Sequence, residues 1–182
     1  MKLLVFSDLH GSATAARRIA ELARERSPDY LLCLGDILYH GPRNPFPAGY
    51  DPPLAAEILT PLAGRILAVR GNCDSNVDAM VLPFPLAADP AWILLDGLRV
   101  CASHGHLHSP TALPPLAGGD LFLSGHTHIP LACTSPQGVH LGNPGSPALP
   151  KEGHHASWGW LEYGSFSVLT LEGEILLRLN LA

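Results

Sequence analysis

Five short apolar runs in this chain each end in residues able to ligate a cation. That pattern restricts the fold more than any other feature. Leu3-Leu4-Val5-Phe6 runs into Ser7-Asp8-Leu9-His10-Gly11, and Tyr30-Leu31-Leu32-Cys33-Leu34 into Gly35-Asp36. Ile66-Leu67-Ala68-Val69 runs into Arg70-Gly71-Asn72-Cys73-Asp74. Leu98-Arg99-Val100-Cys101-Ala102 is followed by Ser103-His104-Gly105-His106, and Asp120-Leu121-Phe122-Leu123 by Ser124-Gly125-His126-Thr127-His128. Runs of this kind read as buried strands. In open α/β sheets, ligands gather beyond the carboxyl ends of the strands. The chain is therefore expected to bring Asp8, His10, Asp36, Asn72, His104, His126 and His128 to one edge.

Carboxylates, an amide oxygen and imidazoles together suit manganese, iron, zinc or nickel rather than a thiolate site or an all-oxygen site. Seven donors are too many for one ion. They suffice for two if one carboxylate bridges, and Asp36, central in chain order, is the natural bridge. Two such ions form a clamp for in-line displacement at phosphorus.

The set Asp8-x-His10, Gly35-Asp36, Gly71-Asn72-Cys73-Asp74, His104 and Gly125-His126-Thr127-His128 resembles the calcineurin-like metallophosphoesterase superfamily, in order and in identity. Within it the likeness is to small phosphodiesterases of the YfcE type. Asn143-Pro144-Gly145-Ser146, after the last motif, belongs to the same resemblance. A lone Gly-Asp or His-x-His is common; five motifs in order, each after an apolar strand, are not. The resemblance implies a phosphodiesterase acting on small phosphodiesters through two divalent ions, manganese first, and a hydroxide between them. It assigns one ion to Asp8, His10, Asp36 and His128, and the other to Asp36, Asn72, His104 and His126. It places Asp74 where a carboxylate orients a neighbouring histidine; a helix N-cap is the alternative role. His106 is a candidate contact to substrate or proton donor. His40 and Arg43, on the loop after Asp36, are candidates for binding the substrate phosphate, a task that suits a guanidinium. The sequence departs from the superfamily at Cys73, where the usual turn carries a histidine thought to protonate the leaving group. Two alternatives stand beside the phosphodiesterase: a phosphomonoesterase on the same site, and a non-catalytic protein-interaction scaffold of the same fold. The complete ligand set argues against the scaffold.

The remaining features bound this reading. At 182 residues the chain fits one domain, residues 1–182. No apolar run approaches the ~18–20 residues of a membrane span, and Asp8 interrupts the first run too early for a secretory signal. A cytoplasmic protein is expected. The formal charge of -5 shows no basic excess for long nucleic acid. A small phosphate ester is the expected partner, with a homo-oligomer left open. Cys33, Cys73, Cys101 and Cys133 form no close pair, so neither a disulfide framework nor a zinc-finger spacing is expected.

The expected fold class is α/β: two facing mixed β-sheets flanked by helices, an α/β/β/α sandwich. Ser12 is a good N-cap for a helix over 13–26, with Ile19, Leu22 and Ala23 as its apolar stripe. Residues 37–53 hold too many prolines for a helix or central strand and read as a long functional loop. Asp51 can cap a helix reaching Leu62. A short helix or turn is expected over 75–80, and 83–90 reads as a connector. Asp96-Gly97 between apolar runs predicts a hairpin. A short helix is expected near 110–117, and an antiparallel meander over 157–179.

Overall fold

The computed structural model describes residues 1–162 and 164–181. Two mixed sheets face each other. In the first, β1 (Leu3–Phe6), β2 (Tyr30–Cys33), β3 (Ile66–Val69) and β4 (Leu86–Ala87) run parallel. The strands β5 (Ala91–Leu95), β6 (Leu98–Ala102), β7 (Leu121–Leu123), β8 (Leu131–Thr134) and β9 (His140–Asn143) build the second sheet, in the order β5-β6-β7-β9-β8. The first sheet is completed by β10 (Ser157–Glu162), β11 (Ser165–Thr170) and β12 (Ile175–Asn180), an antiparallel meander joined to β1 through β10.

Strand alternation divides the core. On β1, Leu3 and Val5 point between the sheets and pack with Val100, Leu121, Leu123 and Phe166. Leu4 and Phe6 point the other way, against the helices. There α1 (Ala13–Arg26) buries Ala15, Ala16, Ile19, Leu22 and Ala23, while Arg17, Arg24 and Glu25 stay exposed. The Ser12 hydroxyl accepts from Ala15 N as its N-cap, and Ser27 ends the helix in a left-handed conformation. Asp51 caps α2 (Pro52–Leu59), whose first residues are prolines. None of the described helices is long and apolar enough to cross a membrane.

Several local expectations need correction. The α2 helix stops at Leu59 and tightens into a 3₁₀ segment over Thr60–Arg65, with Pro61 at its start. The connector at 83–90 contains β4, which adds an edge strand to the parallel sheet. The helix α3 (Asn76–Val81) is capped by Ser75 in a reciprocal capping box with Asp78, so Asp74 is not its cap. Residues 110–117 form no helix. Pro110, Pro114 and Pro115 deny it backbone donors, and the Asp120 carboxylate accepts from Ala117 N to close an irregular turn instead. Leu113 and Leu116 from that segment still cover the outer face of the second sheet, over Cys101, Phe122, Val139 and Leu141.

Candidate metal centre

The carboxyl ends of β1, β2, β3, β6 and β7 meet at one edge, and all seven candidate ligands lie there. The backbone strains to aim them. Asp8, His10, Asp36, His126 and His128 have φ between 48° and 66°, the left-handed region. Asp and His tolerate that region better than most residues, yet five such positions at one edge cost of order 1–3 kcal/mol each. Surrounding hydrogen bonds hold them. Asp8 N donates to Gly35 O at 3.0 Å and His10 N to Asp36 O at 2.9 Å, zipping the β1 loop to the β2 loop. His126 N donates to the Asp8 carboxylate at 3.0 Å. Ser146 Oγ donates to Asp8 O at 2.8 Å, and Asn143 Nδ2 to Gly125 O at 2.8 Å. The Asn143–Ser146 stretch thus props two ligand turns from behind.

Each of three histidines has its tautomer fixed by a carbonyl. Nδ1–H of His10 donates to Tyr39 O at 2.8 Å, that of His104 to Leu34 O at 2.7 Å, and that of His128 to Leu149 O at 2.5 Å. A carbonyl accepts only, so in the neutral ring Nε2 is left with a lone pair, the form that binds a cation. Those lone pairs converge. Nε2 of His10 and His128 are 3.2 Å apart, and Nε2 of His104 is 3.2 Å from Nδ1 of His126 and 3.0 Å from Asn72 Oδ1. Asp8 Oδ1 is buried and accepts no aligned hydrogen bond, although Nε2 of His128 and His10 lie at 3.3 and 3.6 Å. Acceptors crowded this closely fit a positive ion between them.

Asp36 lies between the two groups. Its Oδ2 is 3.8 Å from His10 Nε2 and 3.4 Å from His104 Nε2, while Oδ1 accepts from Cys73 N at 2.8 Å. Compact groups able to hold an ion include Asp8, His10 and His128, and Asp8, Asp36 and His104. Electrostatics agree with the packing. Burial would raise the Asp8 and Asp36 pKa values, but the neighbouring imidazoles outweigh it and hold both below the usual carboxylate range. Burial works against a charge on His104 too, yet Asp36 pushes its pKa up to about 9. Two ionised, buried carboxylates thus demand cations, and protons on imidazole meet that demand when no metal does.

Asp74 plays neither role expected of it. Its carboxylate accepts from the backbone N–H of Asp36 and Ile37 at 2.8 Å and of Gly71 at 2.7 Å, with no histidine among its described partners. It clamps the Asp36 turn to the Asn72 turn. Beside this edge opens a cavity of about 810 Å³ whose lining includes Asp36, Asn72, Cys73, His126 and His128, together with Arg43 and Lys151. His40 does not line it; its ring packs against Phe46 and Tyr50, and Nδ1 lies 3.3 Å from the Tyr50 hydroxyl. His106 also lies outside the lining. Its ring stands beside His104 and His126, with Nδ1 3.5 Å from the buried carboxylate of Asp89. Because residues 103–106 lie beyond β6, strand alternation does not govern where His106 points. Lys151, Asp89 and the clamping role of Asp74 were not foreseen. Only the Asn143–Ser146 motif carried a signal, as part of a family pattern.

The architecture and the site define a phosphoesterase. The family model of the calcineurin-like phosphoesterase superfamily domain matches residues 1–165, and the chain belongs to that superfamily. It is 44% identical to phosphodiesterase YfcE of Escherichia coli K12, over 97% of this chain and 96% of that protein. The solved structure of E. coli YfcE, described as a phosphoesterase, superposes with a TM-score of 0.97 at 42% identity, covering 100% of both chains. The zinc complex of Vps29 from Entamoeba histolytica shares the fold at a TM-score of 0.66 and 20% identity, again over 100% of both chains.

Proposed function

We propose that this chain is a metal-dependent phosphodiesterase that cleaves small phosphodiesters at a dinuclear centre bridged by Asp36. The observation that carries the reading is the position of Asp36 Oδ2 between the imidazoles of His10 and His104, each of which leads to its own donor group. Asp8, His10, Asp36 and His128 would hold one ion; Asp36, Asn72, His104 and His126 would hold the other. When bound, such a pair supplies an acidified water and a clamp on the phosphoryl oxygens. Manganese heads the candidates, with iron, zinc and nickel fitting the same donors. The protein's own share is orientation. Carbonyls fix three of the four imidazoles, Asp74 fixes the backbone beneath Asp36, and the left-handed turns direct the ligands inward. The relatives named phosphodiesterase support this choice over a scaffold. The test is hydrolysis of bis(p-nitrophenyl) phosphate and of p-nitrophenyl phosphate by chain stripped of metal and reloaded with manganese or zinc. Metal-dependent cleavage favouring the diester is expected. A preference for the monoester would instead support the phosphomonoesterase, and inactivity with every metal the scaffold.

Arg43 sits at the side of the cavity and makes no salt bridge among the described residues. Its turn is closed by Asn44 Nδ2 donating to His40 O at 2.9 Å, so the side chain is presented from a fixed base. Arg43→Ala is expected to lower kcat/KM on the diester about tenfold, the range of a hydrogen bond to a charged group, with Tm unchanged. Steady-state kinetics beside a thermal melt decide it, and unaltered kcat/KM removes Arg43 from substrate binding.

Cys73 sets which leaving groups depart easily. It lines the cavity, and its sulfur lies 3.2 Å from Asn72 Nδ2, placed to accept rather than donate. A thiol, of ordinary pKa ~8.5, is a weaker acid and weaker donor than imidazolium at ~6.5. Aryl leaving groups, which depart without a proton, should outpace alkyl ones. Cys73→His should narrow that gap, by as much as ~10² if geometry captures part of general-acid catalysis. Rates for a leaving-group series on both proteins test it; an unchanged dependence on leaving-group pKa in a metal-replete variant counts against a missing acid.

A further inference from the structure

Only two lysines occur in the chain, Lys2 and Lys151. Lys151 lies on the side of the metal-centre cavity supplied by the loop after β9. That loop is not loose. Ser146 Oγ accepts from Ala148 N at 3.2 Å and Leu149 N at 2.9 Å while donating to Asp8 O, and Leu149 O receives Nδ1–H of His128. Arg43 stands on the other loop of the mouth, pinned in the same way, because Tyr39 O receives Nδ1–H of His10. Each cation therefore rides on a loop fastened to a metal-centre histidine.

Among the described residues neither cation has a carboxylate partner, although the chain carries more acidic than basic side chains. Elsewhere among the described residues, four arginines have polar partners of their own. Arg18 pairs with Glu21 and Glu25, Arg99 with Asp120, Arg65 donates to Pro28 O, and Arg70 to Asn76 Oδ1. The carboxylates of the cavity are engaged at its floor, Asp74 by backbone N–H groups and Asp36 by Cys73 N and the histidines. Arg43 and Lys151 are thus the lining groups whose charge is left to meet whatever extends beyond the scissile phosphate. At about 810 Å³ the cavity has room for considerably more than a phosphate group.

We propose that Lys151 is a specificity-determining residue that receives a second anionic group, carried by the part of the substrate beyond the scissile phosphodiester. Arg43, on the facing loop, serves the scissile phosphate. The substrate class is then a phosphodiester with a carboxylate or further phosphate a few bonds away. This rests on the phosphodiesterase reading, and two measurements keep the two apart. Calorimetry on the manganese-loaded protein compares propylphosphonate with 3-phosphonopropionate, which adds a carboxylate to the same anchor. The wild type should bind the carboxylate-bearing probe about fivefold more tightly, as suits an exposed ion pair, and salt should erode the difference. Lys151→Met should bring the two affinities together, and Lys151→Arg should keep them apart. Absence of a preference in the wild type, or its survival in Lys151→Met, overturns the proposal; survival would mean that the metals take the carboxylate. Hydrolysis of the uncharged-arm diester bis(p-nitrophenyl) phosphate by the wild type tests the phosphodiesterase reading separately, whatever the phosphonates show.

Discussion

Asp36→Asn is expected to remain folded, to lose on the order of 10³-fold in kcat/KM, and to hold no more than one metal ion per chain. The substitution keeps shape and keeps an oxygen to accept from Cys73 N, which Asp36 Oδ1 does now at 2.8 Å. What changes is Oδ2, which faces His10 Nε2 at 3.8 Å and His104 Nε2 at 3.4 Å. An amide there puts N–H donors against bare imidazole nitrogens. The site then calls for less positive charge, because one negative charge that would attract the ions is gone. The metal-free variant should therefore melt no lower than metal-free wild type, and manganese should raise its Tm less than it raises that of the wild type. The rate loss corresponds to about 4 kcal/mol of transition-state stabilisation, reasonable for an electrostatic clamp that loses its shared ligand. Elemental analysis, a melt with and without manganese, and kinetics form the experiment. Two ions per chain with undiminished activity would end the bridging assignment.

Gly71→Ala should cost about 10²-fold in activity and several degrees of Tm, although it adds a single methyl group. Gly71 does not have a positive φ, so the constraint is space. A Cβ on its backbone would overlap Asp36 Oδ1 and lie 2.5 Å from Asp36 N. Neither atom can yield easily. Asp36 is held in a left-handed conformation, and its N–H is clamped by Asp74, which also accepts from Gly71 N. Overpacking of this kind costs typically ~1–3 kcal/mol, or roughly 2–4 °C per kcal/mol in a domain of this size. A shift of ~1 Å in a positioned group costs about 10² in rate. Gly64→Ala is the control, since a Cβ there meets nothing within 4 Å, and it should be neutral in both respects. If Gly71→Ala keeps wild-type activity and metal content, the close approach of the two turns does not position Asp36.

The parts of this molecule written in local pattern were legible in the sequence. Apolar runs of three to five residues, broken only by Arg99, marked β1, β2, β3, β6 and β7, because a buried strand has to be mostly apolar, and the seven donors follow those runs. Ser12 and Asp51 announced helix starts because capping is a contact between residues three apart. Asp96-Gly97 announced the β5–β6 hairpin because that turn needs the left-handed conformations both residues adopt. The bland stretch over 110–117 misled, since its leucines do cover the second sheet but its three prolines forbid the helix that would present them.

Contacts between residues distant in sequence were left for the tertiary structure to decide. Nothing near Asp74 says that its carboxylate spans to the backbone of Asp36 and Ile37, 38 and 37 residues away. The carbonyls that fix the histidine tautomers belong to Tyr39, Leu34 and Leu149, residues whose types give no hint, because every residue has a carbonyl. Lys151 reached the cavity through the anchoring of its loop on His128, and β4 paired with β3 although it is only two residues long. Residue type and spacing determined which chemistry gathers at the sheet edge. Strand order and backbone hydrogen bonding decided how the donors meet, for those depend on where the chain returns in space and leave no period in the sequence.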